Sequence, residues 1–186
     1  PDNRIGIYFA GTMGTNNTRK FSLSANTPVN EKISNRVTLS SGNEDGFRKN
    51  QFNNSSNSNS RNELFVRNKT RYIVSDDVEF HLTALYSKQN NKYDAWAPDN
   101  NKEFKTYSDK KGMDSQSTNA FSLRTNLNIW QSLQLLSITS YSKNEMEHSY
   151  DGDWGNEDYW RNPPFNFYPE TEGWTYDFFD KTDRKR

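Results

Sequence analysis

The chain has 186 residues, balances 24 basic against 24 acidic side chains and has a mean hydropathy of −1.16. Zero net charge without a clustered basic stripe argues against nucleic acid as a partner, because phosphate binding is largely a charge effect. No run of about 18 apolar residues occurs, which excludes a transmembrane helix, and the absence of Cys leaves neither a disulfide framework nor a thiolate metal site.

Alternation of apolar and polar residues predicts an all-β chain of about seven antiparallel strands joined in sequence, at about 4–12, 18–26, 34–42, 61–74, 78–88, 118–130 and 133–142. Ile5, Ile7 and Phe9 alternate with Gly6, Tyr8 and Ala10 in the first. Phe21, Leu23 and Ala25 alternate with Ser22, Ser24 and Asn26 in the second. Val37 and Leu39 mark a weaker third. Long polar segments are expected at about 43–60, 89–117 and 143–186, the first carrying an Asn and Ser tract too poor in apolar surface to order itself well.

The fourth and fifth strands carry the clearest signal. In the fourth, Leu64, Val66, Asn68, Thr70 and Tyr72 share a face opposite Phe65, Arg67, Lys69, Arg71 and Ile73. In the fifth, Val78, Phe80, Leu82, Ala84 and Tyr86 lie opposite Glu79, His81, Thr83 and Leu85. Folding about Ser75-Asp76-Asp77 with Val74 opposite Val78 sets Tyr72 against Phe80, Thr70 against Leu82, Asn68 against Ala84 and Val66 against Tyr86. The two apolar faces then coincide, and Arg71 meets His81 on the other side. Asn68 and Thr70 are polar exceptions on an otherwise apolar face. Strands of eleven or so residues exceed the five or six usual in soluble domains and match the roughly 9–11 needed to cross a bilayer obliquely.

Strand six divides Phe121, Leu123, Leu127 and Ile129 from Ser122, Arg124, Asn126 and Asn128, and strand seven follows after Gln131-Ser132. Its face is ambiguous, since Leu133, Leu135 and Tyr141 in one register and Leu136 and Ile138 in the other are apolar. Connections after strands three, five and seven are long and those between are short, the link after strand one excepted. Outer-membrane barrels keep short turns at their periplasmic end and long loops at the extracellular end. Low overall hydropathy is compatible with such a barrel, whose strands need apolar residues only at alternate positions.

Taken in order, Glu44-Asp45-Gly46-Phe47-Arg48-Lys49-Asn50, the Ser75-Asp76-Asp77 hairpin, Ser137-Ile138-Thr139-Ser140-Tyr141 and Tyr150-Asp151-Gly152-Asp153-Trp154 resemble the first third of the barrel of TonB-dependent outer-membrane receptors. The resemblance implies a barrel of about 22 strands with a plugged lumen, sited in the outer membrane of a Gram-negative bacterium. Such a receptor takes up a metal chelate, a vitamin or a glycan with energy relayed through TonB. On this reading the partners are outer-membrane lipid, the substrate, and a plug domain and TonB reached through parts of the receptor not represented in this chain, which stops just before an eighth strand.

Candidate ligand-binding residues fall in the loops: Tyr93 and Trp96 in the second, and Tyr150, Asp151, Asp153, Trp154 and Trp160 in the third, an aromatic-rich segment that also holds Tyr159, Phe165, Phe167, Tyr168, Tyr176, Phe178 and Phe179. Rings offer contact area at low entropic loss. Asp151 and Asp153 have calcium-loop spacing, but the Gly and Asn order is wrong for an EF-hand and no Glu stands at the twelfth place. His81 and His148 lack a nucleophile partner. A pair such as Asp153 and Glu157 is the remaining acid–base possibility. No enzyme, cofactor or metal site is therefore expected. A soluble secreted β-sandwich binding carbohydrate through residues 150–179 would share the same periodicity; it differs in requiring a second sheet over the apolar faces.

Overall fold

The computed structural model describes residues 1–130, 132–165 and 177–186. Ten strands run in chain order: β1 (Gly6–Gly14), β2 (Thr18–Pro28), β3 (Ile33–Glu44), β4 (Lys49–Asn50), β5 (Arg61–Ser75), β6 (Val78–Lys92), β7 (Lys105–Thr106), β8 (Met113–Trp130), β9 (Leu133–Asp151) and β10 (Phe179–Lys185). A short helix, α1 (Glu157–Arg161), precedes β10. Eight strands make one antiparallel meander in the order β1-β2-β3-β5-β6-β8-β9-β10, while β4 and β7 pair in parallel as a separate clip. The sheet is open: β1 and β10 do not pair with each other.

The β5–β6 register is the expected one from Ile73 opposite Glu79 to Val66 opposite Tyr86. The turn differs. A bulge between Ile73 and Ser75 sets Ser75, and not Val74, opposite Val78; the extra residue lets a two-residue Asp76-Asp77 turn close the hairpin.

Register carries one face across the whole sheet. Ile7 and Phe9 of β1 lie beside Ala25 and Leu23, which lie beside Val37 and Leu39, then Asn68 and Val66, then Ala84 and Tyr86, then Phe121 and Asn119. Phe121 meets Tyr141 and Leu127 meets Leu135 in β9, so Leu136 and Ile138 fall on the opposite, polar face. Cross-strand rings line the apolar side, with Phe9 and Phe21 centred 5.1 Å apart and Tyr72 and Phe80 6.5 Å apart.

Among the described residues no second layer lies over this face. Phe121 is 47 % exposed, Leu135 48 % and Tyr141 68 %, and among the described residues the one buried apolar side chain is Ala97. Among the described residues the sheet is a single layer, whereas a two-layer domain covers its apolar face with a second element.

The polar exceptions on the apolar face are explained by each other. Asn35 Nδ2 donates to Thr70 Oγ1 at 2.8 Å and to Asn68 Oδ1 at 3.2 Å, Asn68 Nδ2 donates back to Asn35 Oδ1 at 3.1 Å, and Thr70 Oγ1 donates to Asn68 Oδ1 at 3.2 Å. A closed side-chain network removes most of the desolvation penalty of polar groups in an apolar setting.

Several expected loops are strand. β6 continues to Lys92, β8 begins at Met113 and β9 runs to Asp151, giving strands of 15, 18 and 19 residues. The C-terminal residues pair as β10 with Glu145–Asp151 of β9, so an eighth strand is present where the chain was expected to stop short of one. Its sequence, Phe179-Asp180-Lys181-Thr182-Asp183-Arg184-Lys185, has no apolar stripe for periodicity to detect. It is held by the ladder, by the Lys181 Nζ–Glu147 Oε2 contact at 3.1 Å and by Tyr150 OH donating to Asp180 Oδ2 at 3.1 Å.

The 43–60 tract is likewise ordered. Its backbone bonds through Lys49 N to Phe104 O at 3.1 Å, Gln51 N to Thr106 O at 2.8 Å and an Asn50–Ser55 bridge. Polar hydrogen bonding does there what apolar burial could not. The three long connections, 45–60, 93–112 and 152–178, leave the same end of the sheet, as does the short 15–17 turn; the turns at 29–32 and 76–77, and the adjoining ends of β8 at Trp130 and β9 at Leu133, lie at the other. Gln131, and Phe167, Tyr168 and Tyr176 of the aromatic segment, lie outside the described residues.

Candidate site at the loop end

The long loops pack into one body around two carboxylates. Asp94, 3 % exposed, accepts from Asn50 Nδ2 at 3.0 Å and Thr106 Oγ1 at 2.5 Å on one oxygen, and from Ser108 Oγ at 3.1 Å on the other. It thereby ties the β4–β7 clip to the end of β6.

Asp151, 1 % exposed, accepts four backbone amides: Asp109 and Lys110 at 2.9 and 3.1 Å on Oδ2, Asp153 and Trp154 at 3.3 and 3.2 Å on Oδ1. Burial, then the nearby Asp153 and Asp109 charges, push its carboxyl up to about 7 against the amides that favour the charged form.

Asp153 is similarly committed. Its Oδ1 accepts from Gly155 N at 2.8 Å and Trp160 Nε1 at 3.1 Å, and its Oδ2 from Phe178 N at 3.2 Å. Both aspartates expected to contact ligand are therefore organisers of the loop backbone. Glu157 pairs with Arg161 across one helical turn at 2.5 Å. Among the described residues no cluster of His, Asp or Glu is arranged to hold a metal ion.

The rings form the accessible part of the site. Tyr93, one residue past β6, and His148 and Tyr150 at the end of β9 all project from the polar face by strand alternation. Tyr93 meets His148 edge-to-face at 4.7 Å, Tyr150 at 6.2 Å and Trp154 at 5.9 Å. Tyr150 stacks on Trp154 at 5.4 Å and 19°, and Trp96, 48 % exposed, meets Trp154 at 6.1 Å.

Trp154 reaches this position with a left-handed backbone, φ 58°, a conformation uncommon for a bulky residue and found where surrounding contacts hold it. Gly112 makes the same corner close. Tyr93 N donates to its carbonyl at 3.0 Å, and a Cβ on it would lie 1.9 Å from Tyr93 O.

Trp160 belongs to a second ring group. Tyr107 stacks on Tyr159 at 4.4 Å, and Tyr159 and Trp160 both meet Phe165, at 5.2 and 4.8 Å. Asn156 caps α1 by accepting from Tyr159 N at 2.9 Å and bonds back to Tyr107 O at 2.7 Å. Burial and the bond from its hydroxyl to Asp99 Oδ2, 2.7 Å, raise the Tyr107 phenol.

The seven residues singled out from sequence are thus brought into one loop assembly in three roles: Tyr93, Trp96, Tyr150 and Trp154 as a ring cluster, Asp151 and Asp153 as backbone anchors, and Trp160 as packing in the second ring group with Tyr159 and Phe165. His148, which completes the cluster, and Asp94, which holds the loops together, were missed. Asp94 and Asn50 are 44 residues apart, and no local spacing signals such a pair.

The two faces of the sheet meet this assembly differently. The ring cluster crowns the polar face, whose hydroxyl pairs Ser22–Ser40 at 3.0 Å and Ser24–Thr38 at 3.3 Å continue towards the short-turn end. Comparison with protein-family models, with curated proteins and with solved structures finds no match to this chain.

Proposed function

We propose that this chain forms part of the barrel wall and the extracellular mouth of a TonB-dependent outer-membrane receptor that takes up a scarce solute: a metal chelate, a vitamin or a glycan. One observation carries the reading. An uncovered apolar face and a hydrogen-bonded polar face are held in register over seven of the eight strands of the sheet, with every long connection at one end. Hydrocarbon is the medium in which an uncovered apolar band is stable, and the polar face then lines the lumen. The ring cluster at the loop end, with Trp96 outermost, captures substrate from outside. The plug domain and TonB act through other parts of the receptor.

The chain has no Cys, so single cysteines can be introduced at Leu82 and Thr83, neighbours on opposite faces. With the chain in vesicles of brominated lipid, a fluorophore at position 82 should be quenched and one at 83 spared. Equal quenching at both positions, or a stable monomer in plain buffer, would overturn the reading.

A further inference from the structure

Sequence shows a basic row on β5 alone; register enlarges it. Arg36 of β3 lies directly opposite Lys69 of β5, Arg71 opposite His81 of β6, and His81 opposite Arg124 of β8. With Arg67, this gives five cationic side chains on the polar face near the short-turn end. The carboxylate beside these rows is Glu79, in the next row between Ile73 and Asn126. It accepts from Arg71 Nε at 2.8 Å and Nη2 at 3.1 Å and also touches His81 Nε2. Asp76 and Asp77 lie in the turn beyond, and Asp2 is engaged by Asn26 Nδ2 at 2.7 Å.

Among the described residues Arg36, Arg67, Lys69 and Arg124 have no ion-pair partner. Arg67 lies over the Phe65 ring at 5.8 Å and Arg124 Nε donates to Asn126 Oδ1 at 3.1 Å.

Like charges directly opposite on one face destabilise a sheet. Arg36 against Lys69 is such a pair, and a chain with zero net charge has carboxylates elsewhere that could have been placed between them. We infer that this wall binds an anionic solute carrying two or more carboxylates, an inference that rests on the lumen reading above and gives its substrate a chemical class.

Carboxylate is favoured because Arg71 already takes one in a two-pronged fork, the geometry for which guanidinium is suited. Neighbouring strands stand about 4.8 Å apart and same-face residues along a strand roughly 7 Å apart. That grid matches carboxylates separated by a few carbon atoms. A polar face walled by low-dielectric protein concentrates such an anion further.

The test is calorimetric titration of the vesicle-inserted full chain with tricarballylate, with maltotriose and pyrophosphate as comparison solutes. Tricarballylate should bind more tightly than either, weaken as salt rises and lose about tenfold in affinity in each of Lys69→Gln and Arg124→Gln. In the absence of solute, Lys69→Gln should raise the unfolding midpoint by removing the Arg36 opposition, which separates lost binding from lost folding. Binding of maltotriose or pyrophosphate at least as tight, or unchanged affinity in Lys69→Gln, overturns the inference. A chain that inserts into lipid but ignores tricarballylate refutes this inference alone. A chain that binds it without inserting refutes the membrane reading instead.

Discussion

Asn35 and Asn68 exchange amide hydrogen bonds across β3 and β5, at 3.2 and 3.1 Å, in the middle of the apolar face. Each satisfies the other's amide on that face, and Thr70 completes the set. Replacing Asn35 by Val should therefore destabilise the sheet in lipid by about 1–3 kcal/mol, since it leaves the Asn68 amide unsatisfied. Replacing Asn35, Asn68 and Thr70 together by Val should be milder than the single change. Urea unfolding in vesicles, followed by tryptophan fluorescence, compares the two.

Leu123 and Ser122 are sequence neighbours on opposite faces, opposite Leu82 and Thr83 respectively. Leu123→Arg should lower stability in lipid by about 2–4 kcal/mol if it lies near the midplane, while Ser122→Arg, pointing to the polar side, should change it little. Equal effects of the two substitutions in the same unfolding assay would contradict the assignment of faces.

Gly112→Ala places a methyl group against the Tyr93 carbonyl and, at 2.8 Å, the Ser149 carbonyl, both backbone atoms. Rigid neighbours cannot yield as a side chain would, so a loss of about 1–3 kcal/mol is expected. The loss should be confined to the loop body. Near-ultraviolet circular dichroism from the Tyr93, Tyr150 and Trp154 cluster should fall while the far-ultraviolet strand signal is retained.

Burial pushes the Asp151 carboxyl up to about 7 in the folded loops, against near 3.9 in an unfolded chain. Between these values the folded state holds the extra proton, so stability of the loop body should fall as pH rises from about 4 to about 7 and level off above. Asp151→Asn should remove that slope. Amide hydrogen exchange at Asp109 and Lys110, whose N–H groups bond to Asp151, follows the loop body directly as pH is varied.

Trp96 is half exposed at the rim of the ring cluster, whereas Trp154 is packed by Tyr93 and Tyr150. Trp96→Ala should leave the unfolding midpoint within about 0.5 kcal/mol of the parent, and Trp154→Ala should lower it by several times that amount. Unfolding in vesicles checks both.

Period-two alternation alone located seven of the strands, assigned the faces of all but the last of these, and set the β5–β6 register from Ile73 opposite Glu79 to Val66 opposite Tyr86. A one-residue slip of β5 would put Arg67, Lys69 and Arg71 on the face now held by Val66, Asn68, Thr70 and Tyr72, so local chemistry and long-range pairing point the same way there. Where a strand has no apolar stripe, as in β10 or the outer ends of β6, β8 and β9, the pattern is silent and only the ladder of a neighbour decides. The ring residues at the mouth could be chosen by type, but their division into cluster, anchor and packing could not. Asp94 finding Asn50, Asp151 collecting amides from a loop some forty residues away and Arg36 settling opposite Lys69 are all consequences of which strands lie side by side. That information resides in the assembled sheet, because such contacts are set by distance in space and leave no periodic trace along the chain.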